Sequence, residues 1–395
     1  MLRLRLLPLF LLVLPLAARA QSAAFTLSDS AFISLITAAP GAELYSTFGH
    51  SAIRVKDPAR NFDRCYNYGT FDFDQPNFYL NFCRGKLLYY LNVERHRDFE
   101  YEYLMDRRTL REQTLNFDAS QKQELFNLLQ ENALPQNREY KYDFFYDNCA
   151  TRIRDIVEKA LMYQVFFDST TTKKGTTMRQ LLKPYLLDKP WTRFGIDLIL
   201  GQAADRVAEP KDFMFLPDYL HDVFGATRLP DGRLLVSRET QLPPEGFSNE
   251  QVQTGWLDHP LLVTTLLALI GLFSLSNPRT ERFFDPIFWF VLGALGLVMF
   301  LMWVATDHSA TKTNWNLLWA LPTHLLFFWR RTRSELVENY FTGVSILAAL
   351  TLVFWAFIPQ AMPVPAIPIV VLVAVQGAWR RYWRKEKPSE EGEIA

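Results

Sequence analysis

The sequence predicts an exported α+β domain followed by a membrane part of five transmembrane helices, and three observations carry that reading. Charged residues, Tyr and Phe are dense up to about residue 258, whereas beyond it come long apolar runs with basic residues between them. The first twenty residues, MLRLRLLPLFLLVLPLAARA, have the layout of a secretory signal peptide. Between these regions, short alternating stretches interleave with stretches of helical period, as expected of a mixed domain. The 42 basic and 42 acidic residues cancel, which excludes bulk attraction to nucleic acid.

In order, residues 1–20 read as the signal peptide, with Arg3 and Arg5 ahead of the apolar run and Ala18, Arg19 and Ala20 forming an A-x-A cleavage site before Gln21. The domain then spans 21–240, a linker 241–258, the five helices 259–383, and a tail 384–395. Residues 25–41 predict a short strand and a short helix ending at Pro40 and Gly41. Residues 50–55 alternate as a strand that places His50, Ala52 and Arg54 on one face, and Gly49 before it permits close approach. Further strands are expected at 64–73, after a turn at Asp57 and Pro58, and at 85–93, 113–117 and 140–144. Ser120 to Gln123 reads as a capping box opening a helix with Leu125, Leu128 and Leu129 inward. Helices are expected at 178–187, 195–207 and 218–224, and a hairpin turn at Asp231 and Gly232.

The later apolar segments are 260–275, 286–305, 315–329, 340–358 and 364–383. Several fall short of the roughly 20 residues of a spanning helix, so a buried soluble bundle has to be weighed against them, and charge decides. Arg279 and Arg282 follow the first segment, Arg330, Arg331 and Arg333 the third, and Arg380, Arg381, Arg384, Lys385 and Lys387 the fifth. The alternate flanks carry only Lys312. This is the positive-inside asymmetry of five spans in a bacterial inner membrane, with the amino-terminal domain in the periplasm and the tail cytoplasmic. The loop 306–316 then lies beside the exported domain, and Asp307, His308 and Asn314 form a candidate membrane-edge site for a lipid headgroup. The blander reading of the same residues is helix capping.

The chemistry centres on residues 147–163. Cys149 opens a helix whose Ile153, Ile156, Val157, Ala160 and Leu161 follow the i, i+3, i+4, i+7, i+8 pattern. Asp147 or Asn148 caps it, so the sulfur sits in the first turn, where unpaired N–H groups and the helix dipole favour the thiolate. A buried cysteine that only fills space is the competing reading. A thiolate needs a base, and upstream of residue 200 the histidines are His50 and His96; His96 lies in a charged run that reads as solvated surface. Export permits a disulfide between Cys65 and Cys83, leaving Cys149 as the odd thiol. No C-x-x-C or H-x-x-x-H spacing points to a metal, and no cofactor motif is present.

STFGHSAIRV at 46–55, YNYGTFDF at 66–73 and YDFFYDNCATRIRD at 142–155 resemble the Lnb N-terminal periplasmic domain family, a lipoprotein-transacylase-like group. A strand histidine followed much later by Asn-Cys at a helix start is also similar to permuted papain-like acyltransferases. The resemblance covers about residues 25–225 and implies a permuted papain-like domain whose Cys149 is the nucleophile and His50 the base. An acyl thioester would be resolved by an amine, with lipoproteins or phospholipids as acyl source and the lipid bilayer as partner. Asn67 is the expected orienting group for His50, with Glu43 and Tyr68 behind it, and the N–H of Cys149 with the Asn148 side chain would form an oxyanion hole. The alternatives are a papain-like envelope amidase or peptidase and a non-enzymatic membrane protein of envelope assembly, because fold leaves function open.

Overall fold

The computed structural model describes residues 25–242, 259–328 and 334–382. The expected signal peptide, the linker but for its first two residues, the tail and the basic residues Arg330, Arg331 and Arg333 lie outside the described residues. The amino-terminal part is built on one antiparallel sheet of β1 (Phe32–Ala38), β2 (His50–Asp57), β3 (Phe62–Thr70), β4 (Leu88–Arg95), β5 (Leu110–Leu115), β6 (Glu139–Lys141) and β7 (Val236–Leu242), in the order β6-β4-β3-β2-β1-β5-β7. Its first helices are α1 (Phe78–Cys83), α2 (His96–Met105), α3 (Ala119–Asn132) and α4 (Cys149–Ala160).

Residues 32–38 form one strand rather than a strand and a helix. Ile33 and Leu35 pack with α3 and α4, Ile36 and Ala38 pack with Phe99 and Tyr103 of α2, and a strand buried on both faces reads as a continuous apolar run. The α3 cap also differs from expectation by two residues. Asp118 is the N-cap, accepting from the Gln121 N–H, while the Gln121 side chain accepts from the Asp118 N–H. α4 follows its expected register, with Ile153 and Val157 fully buried. Each such side chain contributes about 1.5–3 kcal/mol, which fixes the helix, and with it Cys149, against the sheet.

His96 is a correction. It is buried beneath the α2 face of the sheet, with Nδ1 3.5 Å from the Cys65 sulfur, because α2 turns His96, Phe99 and Tyr103 inward while its charges face water. The Cys65–Cys83 pairing is a second correction. Cys65 lies in the sheet interior and Cys83 is exposed on α1, and both are free thiols.

After α4 come α5 (Met178–Leu182), α6 (Pro190–Ile199), α7 (Pro210–Phe213) and α8 (Pro217–Ala226), whose apolar sides enclose Phe145 and Phe215 in a second core. The membrane part comprises α9 (Pro260–Ser274), α10 (Pro278–Val304), α11 (His324–Phe327), α12 (Glu335–Val353) and α13 (Ile367–Tyr382). Among the described residues, α10 and α12 are long and apolar enough to cross a membrane, and α9 and α13 are shorter.

The third expected span is not a regular helix. Residues 315–318 make a single 3₁₀ turn, a break at Pro322 follows, and α11 is one turn long. Gly293 and Gly296 on α10 explain how this backbone is covered. A Cβ on Gly296 would meet the Ala320 carbonyl oxygen at 2.1 Å, and one on Gly293 the Leu325 nitrogen at 2.8 Å. Two glycines thus let α10 pack directly against this irregular backbone.

Candidate functional site

The structure brings Cys149, His50 and Asn67 together. By strand alternation His50 and Asn67 share the sheet face that carries Ala52 and Cys65, whereas Cys149 belongs to the core on the opposite face. They meet because β3 is irregular just after Asn67, where its register against β4 shifts and Gly69 adopts φ +87°. A Cβ on Gly69 would lie 3.4 Å from the Cys149 Cβ and 3.8 Å from the His50 ring. A Cβ there would make only ordinary van der Waals contact, so what favours glycine is the left-handed backbone beside the thiol and the imidazole.

Asn67 holds the imidazole, with Oδ1 2.6 Å from His50 Nε2. That bond leaves Nδ1 as the ring nitrogen for the sulfur. Asn67 Nδ2 in turn donates to Glu94 Oε1 at 3.3 Å, which fixes the amide so that its oxygen faces the histidine. Tyr103 stacks beside the His50 ring, with centroids 6.3 Å apart and planes 16° from parallel. Neither Glu94 nor Tyr103 carried a signal in the sequence, since both lie in an ordinary-looking charged and aromatic stretch.

Burial disfavours the thiolate, yet Cys149 is held below the ordinary thiol range. His50 is its opposite charge, and the nearby N–H groups of Ser51 and Ala150 also favour the thiolate. Burial likewise disfavours the imidazolium, but the facing thiolate and the bonds to Cys149 and Asn67 raise His50 above its usual value, with Arg108 pulling the other way. Each group favours the charged form of the other, the electrostatic arrangement that a nucleophilic thiol and its proton carrier require.

Asn148 takes the first of its two expected roles, the helix cap, and not the second, the oxyanion donor. Its Oδ1 accepts from the N–H groups of Ala150 and Thr151, and its Nδ2 donates to the carbonyls of Phe144 and Phe215. With both amide hydrogens committed, it caps α4 and has no donor left for an oxyanion. Tyr68 faces the other side of the sheet, where its hydroxyl accepts from Asn132 Nδ2 at 2.8 Å. Glu43 is exposed, and its backbone carbonyl accepts from Ser46 and Thr47. Among the described residues no cluster of His, Cys, Asp and Glu suits a metal ion.

Two family models match the chain, the Lnb N-terminal periplasmic domain over residues 20–183 and the Lnb transmembrane domain over residues 253–387. The chain is an Lnb-domain protein. No curated protein and no solved structure matches it.

The two Lnb domains touch at the loop that follows α10. The Asp307 N–H donates to the Arg84 carbonyl at 2.9 Å, and Lys141 Nζ reaches Asp307 Oδ2 at 3.3 Å. His308 Nε2 lies 3.0 Å from the Phe82 carbonyl, and Ser309 Oγ donates to Asp143 Oδ2 at 2.6 Å. Asn314 is buried, donating to the carbonyls of Leu198 and Ile199. The three candidate membrane-edge residues thus dock the membrane domain onto the Lnb periplasmic domain. Lys141 and Asp143 belong to the segment that leads into Cys149, so the bonded loop of the transmembrane domain lies a few residues from that thiol.

Proposed function

We propose that this Lnb-domain protein is a membrane-tethered cysteine acyltransferase acting on the acyl chains of lipoproteins or phospholipids through an acyl thioester. The observation that carries the reading is the Cys149–His50–Asn67 arrangement, on a segment hydrogen-bonded to the outer loop of the membrane domain. Tethering holds such a site at high effective concentration beside acyl esters.

In the first step the Cys149 thiolate attacks the ester carbonyl, and the oxygen of the tetrahedral intermediate becomes negative. The N–H of Cys149, at the first position of α4, has no partner within the helix and is the donor suited to that charge. The imidazolium of His50 then gives its proton to the departing alcohol oxygen, leaving a thioester. In the second step an amine attacks the thioester, His50 takes the amine proton, and the thiolate leaves with the amide formed. Asn67 keeps the ring in the orientation that both transfers need.

The fold reading that accompanies this function is a permuted papain-like domain, supported by a strand histidine preceding the cysteine helix in sequence. Five crossings with a cytoplasmic tail complete it, residues 315–328 passing as irregular chain covered by α10. The test is intact-mass analysis of the purified protein incubated with a diacyl lipopeptide or a phospholipid. A hydroxylamine-labile adduct of fatty-acyl mass on Cys149, absent from Cys149→Ser, is expected. Cys149-dependent cleavage of a wall peptide with no acyl adduct would overturn the reading in favour of an amidase.

A further inference from the structure

α1 is inside out for a helix on a water-facing surface. Phe78 is buried and the half-buried Asn81 donates to the Pro76 carbonyl, while Tyr79, Leu80, Phe82 and Cys83 occupy the exposed arc. Tyr79 is 76% exposed, Leu80 55% and Phe82 51%. Large apolar side chains gathered on one short helix form a patch rather than the scattered exposure that is normal for a soluble surface.

The position of α1 names what covers it. The carbonyls of Phe82 and Arg84 are bonded by His308 and Asp307, which stand four and three residues beyond the last residue of the spanning helix α10. The final turns of α10 expose Leu301 and Val304, the surface a lipid chain covers. A segment hydrogen-bonded to the outer end of a membrane span lies at the level where hydrocarbon gives way to headgroups. The charges agree, since Arg84 and Lys86 follow the apolar arc at the headgroup level, while exposed Asp72 and Asp74 stand at the opposite end of the loop.

We propose that α1 is a membrane-inserted wedge, its Tyr79, Leu80, Phe82 and Cys83 face dipping into the outer leaflet of the bilayer that holds this chain's own transmembrane domain. Behind the wedge the aromatic rings continue inward. Phe78 packs on Phe71 at 5.9 Å, Phe71 on Tyr89 at 5.4 Å, and Tyr89 stacks on Tyr142 at 4.4 Å. Tyr142 borders Gly69 next to Cys149. The wedge therefore disturbs lipid packing at the start of an aromatic path to the thiol, which extends the acyl-transfer reading without depending on it.

Cys83 offers the test. In the Cys149→Ser protein it is the exposed thiol, so an environment-sensitive fluorophore placed there reports the depth of α1 in proteoliposomes of phosphatidylethanolamine and phosphatidylglycerol. The expected result is quenching by lipids brominated along the acyl chain, and iodide quenching several times weaker than for the same labelled protein after denaturation. Equal iodide quenching before and after denaturation, with no effect of brominated lipid, would overturn the proposal. A second label at Tyr79→Cys in a Cys83→Ser, Cys149→Ser chain must give the same answer, which guards against a probe that drags one position into lipid. The outcomes separate the two proposals: a lipid-shielded α1 in a protein that forms no acyl adduct keeps the wedge and removes the acyltransferase, and a water-exposed α1 with an adduct does the reverse.

Discussion

Replacing Asn67 by Ala isolates the part of the site that keeps His50 charged. The lost bond is short, 2.6 Å, and its imidazole partner faces a thiolate, so it belongs to the charged class worth about 1.5–3 kcal/mol. The sign follows from the structure. Asn67 raises the pKa of His50, so its removal lets the ring lose its proton at lower pH, and Cys149, deprived of its counter-charge, climbs back towards an ordinary thiol. At mildly acidic pH the thiolate–imidazolium population should fall roughly ten- to hundredfold, at about 1.4 kcal/mol per decade. At alkaline pH the thiolate forms without help and the difference should vanish. The assay is the rate of Cys149 alkylation by a small neutral reagent across pH, in a Cys83→Ser background that silences the exposed thiol. A profile that superimposes on the parent at every pH refutes the reasoning, and so does a uniform drop at every pH, which reports damage to the fold.

Three further outcomes follow from the same geometry. Gly69→Ala places a side chain at φ +87° against the Cys149 Cβ; we expect a stability loss of about 1–3 kcal/mol by denaturant titration, together with slower alkylation of Cys149 at pH 6. Gly201→Ala would set a Cβ 1.9 Å from the Lys312 carbonyl oxygen, where the Gly201 N–H now donates to Ala310, so residues 306–314 should become cleavable by a protease that spares them in the parent. Cys65 and Cys83 should count as separate thiols under non-reducing peptide mapping, Cys83 labelling in the native protein and Cys65 only after unfolding, since burial pushes the Cys65 thiol far up; a bridged 65–83 peptide contradicts this.

The parts of the site that could be read in the sequence are those governed by local rules. The α4 period, its cap beside Cys149, and the alternation of β2 each follow from neighbours within a turn or a strand, so Cys149 and His50 stood out. Asn67 was reachable because it sits on the strand that pairs with β2. What could not be read depends on partners far along the chain. His96 looked solvated because its neighbours are charged, and only the packing of α2 on the sheet shows that those charges turn outward. Asn148 looked free to donate until the Phe215 carbonyl, 67 residues on, claimed one of its hydrogens. The third membrane segment has the composition of a helix, but its backbone follows the glycines of α10 rather than its own propensity.

These long-range determinants converge on one feature, the route by which a thiol on one face of a sheet meets an imidazole on the other. A regular strand at 67–70 would continue in register with β4 and would not carry the left-handed backbone of Gly69. Gly69 takes up that conformation at φ +87°, and beyond the register shift β3 gives way to the loop that carries Phe71, Phe73 and α1. The same irregularity therefore lies between the Cys149–His50 pair and the chain that runs on to α1, whose end is bonded by Asp307 and His308. On the two proposals, thiol chemistry and the α1 wedge are coupled through a few residues of β3, and Gly69→Ala should move the labelled Cys83 towards water as well as slow Cys149.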